Sequence, residues 1–487
     1  MAISQGLRGL VKGPSIAVIL VGGALASNCL ADPDARAATP GDLFGVNAQE
    51  LFGEPQSTWD PQLAAIAAGG LGLVRTSARW STVESTAPSG GGHSYDWSSY
   101  DAIVGELSAH GLRWYPALEY APGWAAQASG DQSPAPARDA DFAAYAAALA
   151  ARYGPAGSFW SSHPSLAPEP VVDYEIWNEE NSAVFWPSQA DAPERYADLY
   201  AAARLAIRAR VPQARVVVGG LALFNPPVVQ DEVGFLELML AHRPDLRGAV
   251  DAVGLHPYQA TLQDTNTRLS LVRQAVNGLL GPAVPIDITE VGWTSTSTPE
   301  EQRATYLSGL ASELPGSQCN VARVLAYAWT TRESDPLNPE DWFGIWNHDA
   351  SAKPSGQAYT GMVRRLATQP LSESPSDPCT QRPAAPPVAA ALPVPGPRLR
   401  LRLSADRGHR RLTVFARCPS SCAMTVALSR RRAAKLIPVA RRSTAFSKRR
   451  RQFRLRYPRR ARVMRLDVVA TGTGGGHTTR VRTLRAG

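Results

Sequence analysis

The feature that most restricts how this chain can fold is an alternation, repeated eight times, of a short apolar run and a longer segment of helical period. The runs at 43–47, 72–75, 112–118, 171–177, 214–219, 250–255, 286–290 and 321–329 are rich in apolar residues throughout and do not alternate. Strands read this way when a parallel sheet is covered on both faces. Segments with helical spacing follow them at 61–68, 100–110, 141–153, 193–211, 233–242, 269–280, 299–314 and 355–366. Eight such units in succession predict an α/β fold, a (β/α)8 TIM barrel. The competing architecture is a doubly wound open sheet, which would carry a Gly-rich turn after its first strand if it bound a nucleotide. Here the first strand, Phe44-Gly45-Val46-Asn47, leads into no such loop, and polar and aromatic residues collect at the C-terminal ends of several strands.

Two of those ends carry carboxylates. The fourth run finishes as Tyr174-Glu175-Ile176-Trp177-Asn178-Glu179-Glu180-Asn181, and the seventh as Pro285-Ile286-Asp287-Ile288-Thr289-Glu290-Val291-Gly292-Trp293. An ionisable group at the end of a buried strand is costly unless it has a partner or a task. Glu179 and Glu290 are 111 residues apart, three strand–helix units, so a barrel brings both to one face. Two carboxyl groups across one cavity are what glycoside hydrolysis requires, one to protonate the leaving oxygen and one to attack the anomeric carbon or activate water. Either Glu could by itself be a helix cap or an ion-pair partner; the pair, with Asn178 before Glu179, favours chemistry. Glu175 reads as a buried structural charge, and Glu119 is an alternative carboxylate.

Trp177-Asn178-Glu179 on the fourth strand with Thr289-Glu290 on the seventh resembles the retaining glycoside hydrolases of clan A, nearest to families 39 and 5. Val74-Arg75 through Trp80 is similar to that clan's second-strand segment, and Gly254-Leu255-His256-Pro257-Tyr258 to its sixth. Trp329 stands where the eighth-strand Trp forms the floor of the −1 subsite, and Phe343-Gly344-Ile345 to Lys353-Pro354 resembles the exit from that strand. The likeness covers about residues 42–367. It implies Glu179 as general acid/base and Glu290 as nucleophile, held ionised by Arg75 and by a hydroxyl such as that of Tyr258. It implies that Asn178 bonds the 2-hydroxyl of the −1 sugar, that His256 shapes that site, and that Trp329 offers its face to the ring. Trp124 and Trp186 are expected as further sugar platforms. No metal or other cofactor is implied. Glu180 departs from the pattern, since Pro often follows the catalytic Glu. The reading from another class is a barrel that binds glycan without cleaving it, anchored at the cell surface by its C-terminal domain.

Charge divides the chain. Residues 398–487 hold 26 Lys and Arg against 2 Asp and Glu, whereas the first 397 residues hold 24 against 40, so a total of +8 conceals an acidic part and a basic one. The expected organisation is a signal peptide with the mature N-terminal tail at 1–37, a catalytic barrel at 38–368, a Pro/Ala-rich linker at 369–397 and a basic, small antiparallel β-sandwich at 398–487. In that last segment the stretches 399–403, 412–416, 424–428, 453–457 and 463–469 read as strands of period two, with Arg between apolar residues in the first and fourth.

Arg8 and Lys12, an apolar stretch at 15–23 and Ala24-Leu25-Ala26 form a secretory signal pattern, so the protein is expected to be secreted or at the cell surface. An uncleaved anchor and lipid attachment at Cys29 are the alternatives, and no later segment reaches membrane-spanning length. In an exported chain the remaining cysteines suggest disulfides, Cys418 with Cys422 and Cys319 with Cys379; the spacing argues against zinc. The expected partner is a carbohydrate substrate. The basic domain suggests an acidic wall or extracellular polysaccharide, and the lack of interleaved stacking aromatics disfavours nucleic acid.

Overall fold

The computed structural model describes residues 39–369 except 91, 128–133, 187–190 and 223–230, then 377–380, and in the basic region the strands between 400 and 485. The expected signal and most of the linker therefore lie outside the described residues. The chain divides into two compact units, residues 1–380 and 381–487.

The first unit is a closed, all-parallel barrel of eight strands: β1 (Phe44–Asn47), β2 (Leu73–Arg79), β3 (Arg113–Glu119), β4 (Asp173–Asn178), β5 (Arg215–Ala222), β6 (Ala252–His256), β7 (Ile286–Val291) and β8 (Val321–Ala326). It closes where β1 pairs with β8, Phe44 opposite Val324. The apolar runs are continuous because each strand is covered twice. One set of side chains packs outward with the helices in a large core that includes Val46, Val74, Leu118, Ile176 and Ile288. The other set fills the barrel, with Leu73, Tyr115, Val217, Ala252 and Leu325 as a small apolar cluster of its own. At the N-terminal strand ends the interior is ionic. Asp173 pairs with Arg215 and Arg323, and Asp287 accepts from Arg215 and, at 2.9 Å, from the Tyr115 hydroxyl. Buried charges this well paired close the floor and leave the C-terminal ends to form the open face.

Element types agree with the sequence reading, and the ends move for local reasons. The helix expected at 269–280 is Leu262–Leu279, since Thr261 caps it by accepting from the Asp264 amide at 3.1 Å. The eighth strand stops at Ala326, short of the expected 329. Cys319 and Cys379 form the expected disulfide, which ties the segment after the last barrel helix (Pro354–Thr368) back to the start of β8.

The second unit has two antiparallel sheets. One has the order β13–β10–β9, from Arg450–Arg456, Arg411–Arg417 and Arg400–Asp406. The other has the order β12–β11–β14–β15, from Lys435–Phe446, Cys422–Arg432, Val463–Gly472 and His477–Arg485. β12 and β15 were not expected. Both are edge strands, and Pro438 in one and the Thr- and Arg-rich sequence of the other hide the alternation, as edges commonly do. Cys418 lies outside the described residues, and so does its expected pairing with Cys422.

Candidate active site

The site is organised by one side chain. Arg75, 4 % exposed, extends from β2 toward the barrel axis. Its Nε donates to Glu175 Oε2 at 2.6 Å, Nη1 to Asn47 Oδ1 at 2.9 Å and Glu290 Oε1 at 2.6 Å, and Nη2 to Asn178 Oδ1 at 2.8 Å. A buried guanidinium with its fork satisfied on three sides is a fixed cation. Asn47 turns its amide nitrogen to the Thr289 carbonyl at 2.9 Å, which links β1 to the strand that carries Glu290. Glu175 is thus the structural charge expected of it, and its task is to hold Arg75.

Strand alternation alone would not aim Glu175, Asn178 and Glu179 at one cavity. The backbone breaks the alternation: Trp177 has φ +73° and Glu179 φ +47°, left-handed values that cost a non-glycine residue energy. Trp177 is thereby turned out of the barrel into a nest of Tyr120, Phe142 and Trp186, its Nε1 donating to the Phe185 carbonyl at 2.9 Å. Its burial anchors the strained turn, and the two residues after it face inward.

Glu179 is 2 % exposed. Oε1 lies 2.8 Å from His256 Nδ1, and Oε2 is buried with no hydrogen-bond partner among the described residues. Burial, and then the charge of Glu290, push this carboxyl well above the ordinary range. His256 is fully buried, with Nε2 3.0 Å from Thr289 Oγ1. Desolvation lowers it to about 3, so the imidazole is neutral at ordinary pH. The ring fits because β5 has glycine opposite: a Cβ on Gly220 would lie 2.0 Å from His256 Nε2.

Glu290 is the more open member of the pair, its side chain 12 % exposed. Burial alone would raise it. A charged His256 would lower it, but that ring is neutral; the guanidinium of Arg75 and the hydrogen bond from Tyr258 Oη, 2.8 Å from Oε2, overcome burial and hold it below the ordinary carboxylate range. Since His256 is neutral, Arg75 is the lasting cation. One oxygen from each of Glu179 and Glu290, with a ring nitrogen of His256, lie within 4.8 Å of one another. The arrangement therefore brings a carboxyl pushed up and a carboxyl held down into the same small space.

Glu180 lies outside that space. It is fully buried behind β5, where a Cβ on Gly219 would meet its Oε2 at 2.4 Å, and it interacts with the Tyr196 hydroxyl. Burial raises it well above the ordinary value, so it is a neutral residue packed outside the barrel wall. Glu119 is also buried, raised to about 7 chiefly by desolvation.

All three tryptophans expected as sugar platforms pack against neighbouring aromatic side chains. Trp329 offers no face to a ligand. It is fully buried, stacked on Trp346 at 4.3 Å, with Nε1 donating to Gln62 Oε1 at 2.8 Å. Trp186, 1 % exposed, is wall rather than platform, packed on Trp177 and Tyr196. Trp124 is half-buried on the β2–β3 side of the rim, edge-on to Trp80, its Nε1 bonded to the Glu84 carbonyl at 3.0 Å. In each case the ring is more stable within the apolar packing of its own loop.

The aromatic beside the pair is Tyr327, immediately after β8, whose ring meets Tyr258 and Phe343 and whose hydroxyl donates to Glu340 Oε2 at 3.4 Å. Glu340 is raised by burial and by Glu290. Neither residue was anticipated. The signal for Tyr327 was its position nearest the true strand end; Glu340, on a long loop, gave none. Both border a cavity of about 240 Å³ that also takes in Asn47, Glu50, Arg332 and Asp341.

No protein-family model and no curated protein matches the sequence. Solved structures do match. The "GH39 enzyme from Xanthomonas axonopodis pv. citri" aligns at a TM-score of 0.52 and 16 % identity, over 86 % of this chain and 93 % of its own. This chain has the fold of the family 39 glycoside hydrolases. A monomeric beta-xylosidase from Caulobacter crescentus CB15 aligns equally well, at 0.52 and 16 %, over 86 % and 96 %. A family 39 glycoside hydrolase from the gut symbiont Bacteroides cellulosilyticus WH2 gives 0.51 and 16 %, over 87 % and 82 %. The family 39 likeness is one of fold.

Proposed function

We propose that this protein is an exported glycoside hydrolase that cleaves β-linked poly- or oligosaccharide with retention of configuration. The observation that carries the reading is geometric: an oxygen of Glu179 and one of Glu290 lie within 4.8 Å of each other beside His256, with burial pushing the first carboxyl up and Arg75 and Tyr258 holding the second down against its own burial. Retaining enzymes hold their carboxyl groups closer, at about 5–5.5 Å, than inverting ones, which leave about 6.5–9.5 Å for a water, and two carboxyls within reach of one imidazole favour the closer class.

In the first step Glu290 attacks the anomeric carbon, forming a glycosyl ester as the glycosidic C–O bond breaks, and Glu179 gives its proton to the departing oxygen. That proton belongs on Oε2, the oxygen without a partner among the described residues, and His256 Nδ1 is then the donor to Oε1. In the second step Glu179, now ionised, takes a proton from water as the water oxygen displaces Glu290. Arg75 balances Glu290 while it is charged, and Asn178, its Oδ1 held by Arg75, keeps its amide nitrogen for a sugar hydroxyl.

The sugar at the cleavage point is uncharged in this reading. The cavity beside the pair carries Glu50, Glu340 and Asp341, and its cation Arg332 is already paired with Glu50 at 2.9 Å. A uronic acid would meet like charge there. The test is hydrolysis of a panel of neutral and acidic aryl β-glycosides by the wild type and Glu290→Ala. Turnover of a neutral member by the wild type alone is expected. Equal, background-level rates in both proteins across the panel would overturn the reading.

A further inference from the structure

The outer face of the three-stranded sheet in the second unit bears cations in a regular array. β10 is the central strand, and its residues pair across both neighbours in rows: Asp406–Arg411–Arg456, Ser404–Thr413–Arg454 and Arg402–Phe415–Gln452. Leu412, Val414, Phe453 and Leu455 are buried on the other face, while Arg402, Ser404, Gln452, Arg454 and Arg456 are exposed. Rows in a sheet repeat every ~6.7 Å along the strand and neighbours stand ~4.8 Å apart. The next row in register is Arg400, Arg417 and Arg450.

We infer that this face binds an acidic polysaccharide chain through its repeating carboxylates. Guanidinium forks match carboxylate geometry, and a flat array with a periodic spacing suits an extended, repeating polyanion. The central aromatic, Phe415, is half-buried, so the face lacks the exposed stacking rings that single-stranded nucleic acid would use. The choice of a polysaccharide over other polyanions rests on the glycan chemistry proposed for the barrel. The two parts then divide the work: the basic sheet holds an anionic matrix that the acid-lined barrel site rejects, and the barrel cuts neutral glycan within it.

The test uses the full chain on polygalacturonate-coupled resin and in titrations with soluble polygalacturonate, at fixed salt. Arg402→Ser/Arg454→Ser/Arg456→Ser is expected to weaken binding about tenfold or more, since three exposed charge-assisted contacts are lost together. The corresponding triple Lys variant should stay within about threefold of wild type, because it keeps the charge. Arg430→Ser/Arg441→Ser/Arg465→Ser, on the four-stranded sheet, removes equal charge and should cost much less. Equal losses in the two Ser variants would overturn the proposal, as would tighter wild-type binding to duplex DNA or to phosphatidylserine vesicles at the same salt. Hydrolysis of a soluble aryl glycoside is measured in parallel. Binding without hydrolysis would leave the surface standing and remove the enzyme reading, and hydrolysis without binding would do the reverse.

Discussion

Arg75 Nη1 lies 2.6 Å from Glu290 Oε1, and this ion pair keeps one carboxylate charged inside a cage that neutralises its neighbour. The same guanidinium fixes Glu175 and Asn178, so binding, charge and position are joined in one residue. Arg75→Met should lower kcat/KM by about 100-fold or more, in the range of lost transition-state electrostatics. Without the cation Glu290 must rise, so the acidic limb of the pH–rate profile should move to higher pH. Arg75→Lys should recover the limb better than the rate, because Lys cannot supply the fork that holds Asn178. A rate loss with an unmoved acidic limb would deny Arg75 this role.

The profile itself should be bell-shaped, with Glu290 ionising on the acidic side and Glu179 losing its proton on the basic side. Glu179 is raised and Glu290 lowered, which makes the plateau between them wide. Glu179→Gln should abolish the basic limb and retain the acidic one. The loss should be smallest for aryl glycosides whose leaving group needs no proton. Comparison of activated and unactivated substrates across pH measures both effects.

The Gly219-Gly220 pair of β5 should separate stability from catalysis. A methyl group at Gly220 would strike the His256 ring at 2.0 Å, and one at Gly219 would strike Glu180 Oε2 at 2.4 Å. Gly220→Ala should reduce kcat about tenfold or more and shift the basic limb, since His256 positions Glu179. Gly219→Ala crowds residues outside the cavity, so its main effect should be a lower Tm, as overpacking costs about 1–3 kcal/mol. Thermal melts and pH profiles of the two variants distinguish the outcomes.

Glu119 gives a stability signature. Its folded value of about 7 exceeds the ordinary 4.5, so the folded state binds the proton more tightly. The associated stability is complete below the unfolded value and is lost as pH rises through about 7. At roughly 1.4 kcal/mol per pH unit the loss is on the order of 3 kcal/mol. Urea unfolding at about pH 4.5 and pH 8 should show Glu119→Gln losing less stability than the wild type over that interval. Parallel losses would mean that Glu119 titrates normally.

Glu340 should govern discrimination by charge. Glu340→Gln is expected to raise kcat/KM for β-glucuronides relative to β-glucosides by about tenfold, because one like charge is removed from a partly buried site. An unchanged ratio would place the acidic cavity away from the bound sugar.

The barrel was legible from the chain because burial on both faces leaves continuous apolar runs, and β4 and β7 delivered their carboxylates three units apart as read. Arg75, His256 and Tyr258 were legible for the same reason: each stands at a strand end whose place in the cycle was known. The aromatic platforms were not. An indole near a strand end reads alike whether it faces a sugar or a neighbouring loop, and only packing decides; Trp329 went to Gln62 and Trp346. The inward turn of Asn178 and Glu179 depends on left-handed backbone at Trp177 and Glu179, which no side-chain pattern announces. Glu340 reaches the site from a loop after β8, where sequence position carries no direction.

Double displacement at Glu290 makes a stereochemical prediction. It is tested most directly by proton NMR of the first sugar released from an aryl β-glycoside that the enzyme turns over, recorded before mutarotation. The β anomer should appear first and the α anomer grow in slowly. An α anomer released at the outset would contradict the account.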